Sequence, residues 1–393
     1  MLHRNHASTR AAGVIALMLA SILRAGAQGA PAMQTPPAEP PVATAGAAED
    51  AAPAEVAEDD DYTVDGFIDT YYSWNTNNPG GIVDPVRVFD GTSASPRVSL
   101  VQVHVEETAD DDNFGFGVKL QAGLPANDNT ATLIHSVSPS AIDRQFPWVQ
   151  EAWVRYNTSH SKGAYLDFGK FNTHMGYEVI ESRANMNYSR SILFGWAIPF
   201  YHFGLRYTYP FDDHFSAGAY LVNGWNNVVD NNTAKSVGLQ AIYKRDQWTA
   251  VANWIGGDEG TGFRNVVDAY VTYATKDGDY DFALNADYGR DPNNGAAGTW
   301  WGVAAYARRN WDHDSLALRG EVFRDPQGFM MGVGNNTLYE VTGTYEHRFG
   351  HSLSARAEYR GDFANTAFFP LNAAARQARS QHTFTIGTVA YWK

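Results

Sequence analysis

The 393-residue chain contains no cysteine. Disulfide-stapled exported folds and cysteine-ligated metal centres are therefore excluded. No stretch reaches the ~18 consecutive apolar residues that a spanning helix requires. The nearest approach is AAGVIALMLASIL at residues 11–23, which is too short. Basic side chains are also scarce: 29 Lys and Arg stand against 43 Asp and Glu, for a net charge of −14. None of these bases is concentrated enough to form a nucleic-acid surface.

What is present first is an export pattern. His3, Arg4 and Arg10 precede the apolar run, and Ala25-Gly26-Ala27 offers small residues at an A-x-A cleavage site. Residues 1–27 are expected to be a signal peptide. Residues 28–61 are mostly Ala, Pro, Glu and Asp, with no Lys or Arg. Such a segment cannot bury a core. It reads as a disordered Ala/Pro/acidic periplasmic spacer, with contact to the cell wall as its alternative use. The remaining residues, 62–393, are read as one membrane domain.

That domain is a series of roughly ten-residue stretches with period-2 alternation, the pattern of strands that cross a bilayer at a tilt. In NFGFGVKLQAG (113–123), Phe114, Phe116, Val118, Leu120 and Ala122 alternate with Gly115, Gly117, Lys119 and Gln121. A one-residue slip would place Lys119 in lipid, at about 2–4 kcal/mol near the midplane. A mean hydropathy of −0.36 does not argue against a barrel, because only alternate residues face lipid.

Sixteen such stretches run from TVDGFIDTYYSW (63–74) to HTFTIGTVAYW (382–392). The gaps between them are alternately short and long. The short ones (TADDD, PFDD, RD, KDGD, NWDHD) carry tight-turn residues. The long ones run about 75–97, 124–150, 172–200, 223–234, 256–264, 290–299, 324–337 and 361–381. The expected fold is all-β: a transmembrane antiparallel barrel of about 16 strands in a bacterial outer membrane. Short turns and both termini are expected in the periplasm and long loops outside. Aromatic residues near strand ends, including Tyr71, Tyr72, Trp74, Trp248, Trp300, Trp301 and Trp392, are expected to form interfacial girdles.

Four stretches carry a family likeness: DGFIDTYYSWNTNNP (65–79), DFGKFNTHMGYEVIESRANMNYSRSILF (167–194), IPFYHFGLRYTY (198–209) and LVNGWNNVVDNNTAKSVGLQ (221–240). The chain resembles the OmpL-like, putative beta-barrel porin-2 family of outer-membrane proteins from Val64 onward, most clearly through residue 243. The resemblance implies a pore and supplies no catalytic residues.

If the apolar face meets lipid, the other face lines a lumen. Its expected acids are Asp65, Asp69, Glu106, Glu151, Asp167, Asp268, Asp281, Asp287, Glu321 and Glu358, with Glu340 and Glu346. Its expected bases are Lys119, Arg155, Arg206, Arg308, Arg319 and Arg356, with Lys244 and Arg360; His104 joins them. Acids are in modest excess, which leans toward cations, although charges at the narrowest point decide selectivity. The connection after Phe171 is the constriction candidate, with Glu178, Glu181, Arg183 and Arg190. Its Met175, Tyr177, Val179, Ile180 and Met186 have no use in open water, so folding inward would give them partners. A cap over the rim is the competing arrangement.

No H-E-x-x-H, G-x-S-x-G or phosphate-cradling loop occurs. Scattered histidines (His104, His174, His202) read as polar lumen or loop residues. Asp110–Asp112 read as a solvated turn, and Arg360-Gly361-Asp362 as a turn tripeptide. The expected function is passive diffusion of small hydrophilic solutes or ions, with no enzyme activity, cofactor or metal. The expected partners are outer-membrane lipid and the solutes, not nucleic acid. Barrels of this size are compatible with a homotrimer. A non-conducting surface-binding or anchoring barrel and a barrel hydrolase remain the alternatives.

Overall fold

The computed structural model describes residues 62–80, 84–108, 113–123, 148–158, 163–230, 232–260, 262–292, 297–372 and 376–392. The expected signal peptide, the acidic segment and Asp110–Asp112 lie outside these residues.

The first barrel strands are β1 (Tyr62–Asn75), β2 (Arg97–Glu107), β3 (Phe114–Gly123), β4 (Val149–Asn157) and β5 (Tyr165–Asn172). After a long connection holding a five-residue helix, α1 (Ile192–Trp196), come β6 (Tyr201–Pro210), β7 (Phe215–Val222), β8 (Ser236–Arg245), β9 (Trp248–Asp258) and β10 (Phe263–Ala274). The wall continues with β11 (Tyr280–Asp291), β12 (Gly298–Trp311), β13 (Asp314–Asp325), β14 (Asn336–Arg348) and β15 (Leu353–Ala364). A small hairpin, β16 (Phe369–Leu371) and β17 (Arg376–Ala378), precedes the last wall strand, β18 (Ser380–Trp392).

Every neighbouring pair in the wall is antiparallel and consecutive, and β18 pairs with β1 to close a sixteen-stranded barrel. Closure removes both sheet edges, so backbone donors and acceptors are met around the ring. Bulges shift the register at Asp69/Thr70 and at Lys119/Leu120.

The strand period sorts the side chains. Phe114, Phe168, Leu239, Leu318 and Ile386 point outward and are exposed, Ile386 at 64% and Phe114 at 63%. Their neighbours within each strand point inward and are buried. Tight turns at one end explain the short gaps. Asp246 and Asp312 begin two-residue turns with φ of 53° and 45°, the left-handed region that such hairpins require.

The other end differs from expectation in four ways. Residues 256–264 do not form a long loop: β9 runs to Asp258 and β10 starts at Phe263. Gly257 permits this, since a Cβ there would lie 2.0 Å from Ser236 Oγ. The last long connection contains the β16–β17 hairpin. Arg360-Gly361-Asp362 lies within β15, not in a turn, and both charged members are fully buried. Among the expected girdle aromatics, Tyr71 and Trp300 instead point inward and are buried, whereas Tyr72, Trp74, Trp248, Trp301 and Trp392 are exposed on the outer surface.

Candidate functional site: the barrel interior

Two long connections turn back into the barrel. Residues 173–200 between β5 and β6 cross its interior. Gly176 N donates to Asp268 on β10 at 3.0 Å, and Ser182 Oγ donates to Asp69 on β1 at 2.6 Å. Tyr188 N donates to Glu358 on β15 at 2.7 Å, and Ile192 N to Glu321 on β13 at 2.7 Å. The partners lie on opposite sides of the ring, so the segment spans the lumen. Its Met175, Ile180, Ile192 and Leu193 are fully buried and Val179 and Met186 nearly so. Burying each such side chain is worth about 1.5–3 kcal/mol, which opposes an outward conformation. Ser191 caps α1 by accepting from Phe194 N at 3.0 Å.

The described residues of the connection after β1, 76–80 and 84–96, also fold inward, which the sequence reading anticipates only for the connection after β5. Arg87 donates to Asp90 within the segment and to Thr383 on β18, and lies 3.8 Å from Glu358. Phe89 packs on Phe194 with ring centroids 6.2 Å apart, and Arg190 lies over Phe89 at 4.7 Å. The two inward segments therefore brace each other.

The named wall residues project inward except Lys244, which is exposed at the end of β8, and most of the inward ones fall into three groups. The first lies toward the short-turn end. Arg183 meets Asp65 at 3.2 Å, and His104 meets Asp65 at 3.1 Å and Glu106 at 3.6 Å. Arg155 lies 3.8 Å from Glu106 and 2.7 Å from Asp167, which Arg206 also grips at 2.5 Å. Asp65, His104, Glu106, Arg155 and Arg183 are partly exposed.

The second group clamps the crossing segment. Lys119 pairs with Glu151 at 2.8 Å and lies 3.9 Å from Glu181. Arg319 pairs with Glu178 at 2.7 Å and Glu340 at 2.9 Å. Arg356 holds Glu346 and donates to Ser182 O at 2.6 Å. Arg190 donates to Tyr188 O at 3.0 Å and to Ile180 O.

The third group lies along β11. Asp281 pairs with Arg308 at 2.7 Å, Asp291 with Arg264 at 2.7 Å, and Asp287 sits between them.

Among the perturbed groups of the inward segments, His174 and Asp84 stand out. Burial, followed by the nearby His202, pushes His174 down to about 3. It is neutral, stacked on Tyr220 at 4.1 Å. Burial, followed by the Asp362 carboxylate, pushes Asp84 up to about 7. The sequence reading passed over Asp84, Arg87 and Asp90. It also passed over the inward amides Gln102, Gln150, Asn253 and Asn285, which bind Glu181 and Asp268. The apolar run Ile82-Val83…Val86…Val88-Phe89 was the available signal for the first loop. No group of three His, Cys, Asp or Glu side chains able to hold a metal occurs among the described residues.

This closed barrel, apolar outside and charged within, can be compared with known proteins. The family model described as "Putative beta-barrel porin-2, OmpL-like" matches residues 61–391. The chain belongs to this family. Among solved structures, an anion-selective porin from Comamonas acidovorans is similar, with a TM-score of 0.57 and 11% identity over 84% of this chain and 99% of that one. A loop-deletion mutant of OmpT, an outer membrane protein of Vibrio cholerae, gives 0.56 and 14% over 85% and 100%. In-vitro folded OmpT in a trimer form gives 0.50 and 14% over 84% and 99%. At these identities the likeness concerns the fold alone. No curated sequence matches the chain. The porin-2 assignment and the geometry together place the protein in the outer membrane as a porin-type barrel.

Proposed function

We propose that the barrel allows passive diffusion of small hydrophilic solutes or ions, with residues 173–200 setting the narrowest passage. The observation that carries this reading is the crossing segment itself, bonded to β1, β10, β13 and β15 inside a charged wall. The inward residues that border the passage are those named above, with the partly exposed Arg183–Asp65–His104–Glu106–Arg155 chain at its short-turn mouth. Selectivity then follows from these fixed charges and not from their sum. The reading assigns the chain no catalysis.

It also carries a cleaved signal at residues 1–27, an acidic spacer at 28–61 that reaches toward the cell wall, and both ends of the barrel chain in the periplasm. Assembly as a homotrimer fits the same reading.

Burial favours a second reading. In the half nearer the long connections, Asp69, Arg319, Arg360 and Asp362 are almost wholly enclosed. A barrel sealed there would act as a surface-binding anchor. Purified full-length protein in a planar bilayer separates the two. Discrete conductance steps that grow on deletion of residues 176–189 support diffusion. Silence in both proteins supports the sealed barrel.

A further inference from the structure

We propose that the outer wall holds one membrane lipid with an anionic phosphate headgroup, seated in a groove across β18, β1 and β2 with Arg97 as its headgroup contact. A β-bulge builds the groove. Asp69 pairs with Leu100 but Thr70 pairs with Val98, so Ser99 is the extra residue of β2. Its hydroxyl turns inward and donates to Phe89 O at 3.1 Å, while Arg97 and Val98 are both left exposed. Re-aiming side chains in this way is what a bulge does to a strand. The result is a groove of about 410 Å³ lined by Thr70, Tyr72, Arg97, Val98, Ile386 and Thr388, the size of a small-ligand cleft.

The lining suits an acyl chain. Tyr72, Val98 and Ile386 expose apolar surface on the side away from the lumen. The two threonine hydroxyls bond each other, Oγ1 to Oγ1 at 2.8 Å, so they do not face hydrocarbon unpaired. The charge suits a phosphate. Arg97 pairs in register with Tyr71, three residues short of Trp74, whose ring stacks on Phe384 at 5.7 Å. That is about 10 Å along the strand, on the hydrocarbon side of the aromatic pair. A cation there is unfavourable without a counter-charge. No carboxylate among the described residues pairs with Arg97, and its outward neighbours on β1 and β18 are uncharged. A second copy of the chain does not supply one. Among the described strand residues at the long-connection end, the outward acid is Asp258, which closes β9, the strand opposite β1 in the ring. A closed dimer or trimer joins one patch or nearby patches, not opposite walls. A lipid brings the phosphate and the chain together.

The inference concerns the outside of the wall and holds whether or not the barrel conducts. The test is native mass spectrometry of the full-length protein in detergent, titrated with phosphatidic acid or with phosphatidylcholine of the same acyl chains. One phosphatidic acid per chain should be retained at concentrations where phosphatidylcholine is lost. Arg97→Gln should weaken that retention severalfold and Arg97→Lys less so. Arg245→Gln, at an exposed arginine that ends β8, should leave it unchanged. Val98→Trp, which fills the groove and keeps the charge, should also weaken it. Inorganic phosphate should not displace the lipid. Native-like retention by Arg97→Gln overturns the site, as does equal retention of phosphatidylcholine. Displacement by inorganic phosphate would leave an anion site only. Phosphatidic acid bound by the monomer but excluded from an oligomer would give the groove to a second copy. Either result overturns the lipid assignment.

Discussion

The two inward segments are anchored in opposite ways. Residues 173–200 are held chiefly by arginines that belong to the wall, with their own Arg183 adding one pair to Asp65. Arg319 reaches Glu178 and Ser189 O, Arg356 reaches Ser182 O, and Arg360 reaches Arg190 O. Residues 76–96 bring their own arginine: Arg87 reaches out to Thr383 and Thr385 on β18. The first segment contacts strands around the ring, whereas the second is bonded chiefly to β1, β18 and the neighbouring β15. Loosening the first therefore disturbs the whole interior, while loosening the second is a local event. A barrel can thus contain one structural brace and one separable lid-like segment built from the same residue types.

Removing the brace's central clamp gives the largest expected effect. Arg319 is fully enclosed between Glu178 and Glu340. Arg319→Met leaves both carboxylates without their cation, at about 3–5 kcal/mol for a broken buried pair. Thermal or urea unfolding of the refolded barrel should show a loss of that size. A change under ~1 kcal/mol, the scale of an exposed pair, would mean that water already reaches this pair.

The separable segment should instead respond to pH. Asp84 sits beside Asp362, and a single amide, Gln381 Nε2, donates to both. Burial and Asp362 raise its carboxyl from 3.8 to about 7. The sign follows from linkage: the docked segment prefers protonated Asp84. Its contribution to docking is complete below about pH 4 and is lost as pH rises through about 7. Protease cleavage within residues 76–96 should be severalfold faster at pH 8 than at about pH 5, with the barrel intact. Asp84→Asn should be slow to cleave at both. Equal cleavage of the native protein across this window would remove the contrast between the segments.

How these segments were legible in the sequence differs for the same physical reasons. Residues 173–200 carry Met175, Tyr177, Val179, Ile180 and Met186, too apolar for an open loop, so their inward fold could be anticipated. Residues 76–96 begin with Asn, Pro and Gly, which mark turns, and this masked Val86, Val88 and Phe89, all buried. Strand alternation told which charges face inward, because the period of two leaves no freedom once one face is apolar. It could not tell which charges meet. Lys119 and Glu151 are 32 positions apart in sequence yet register neighbours, and only the bulge and pairing set that. Aromatic residues at strand ends are ambiguous for a related reason. Tyr71 and Tyr72 are adjacent and face opposite ways, so clustering near an end says nothing of direction.

The smallest expected effect tests whether the brace is redundant. Asp69 accepts from two residues of the crossing segment, Ser182 Oγ at 2.6 Å and Tyr188 OH at 2.7 Å. Ser182→Ala removes one donor and leaves the other, so Asp69 is not orphaned. The loss should be about 1 kcal/mol, the net worth of one hydrogen bond, and not the larger penalty of an unsatisfied buried acid. Ser182 O would still receive Arg356, so the segment's path should persist and conductance should stay near native. If Ser182→Ala alone released the segment, shown by conductance matching the 176–189 deletion, the brace would hinge on this point. Its many contacts around the ring would then be secondary to one hydroxyl.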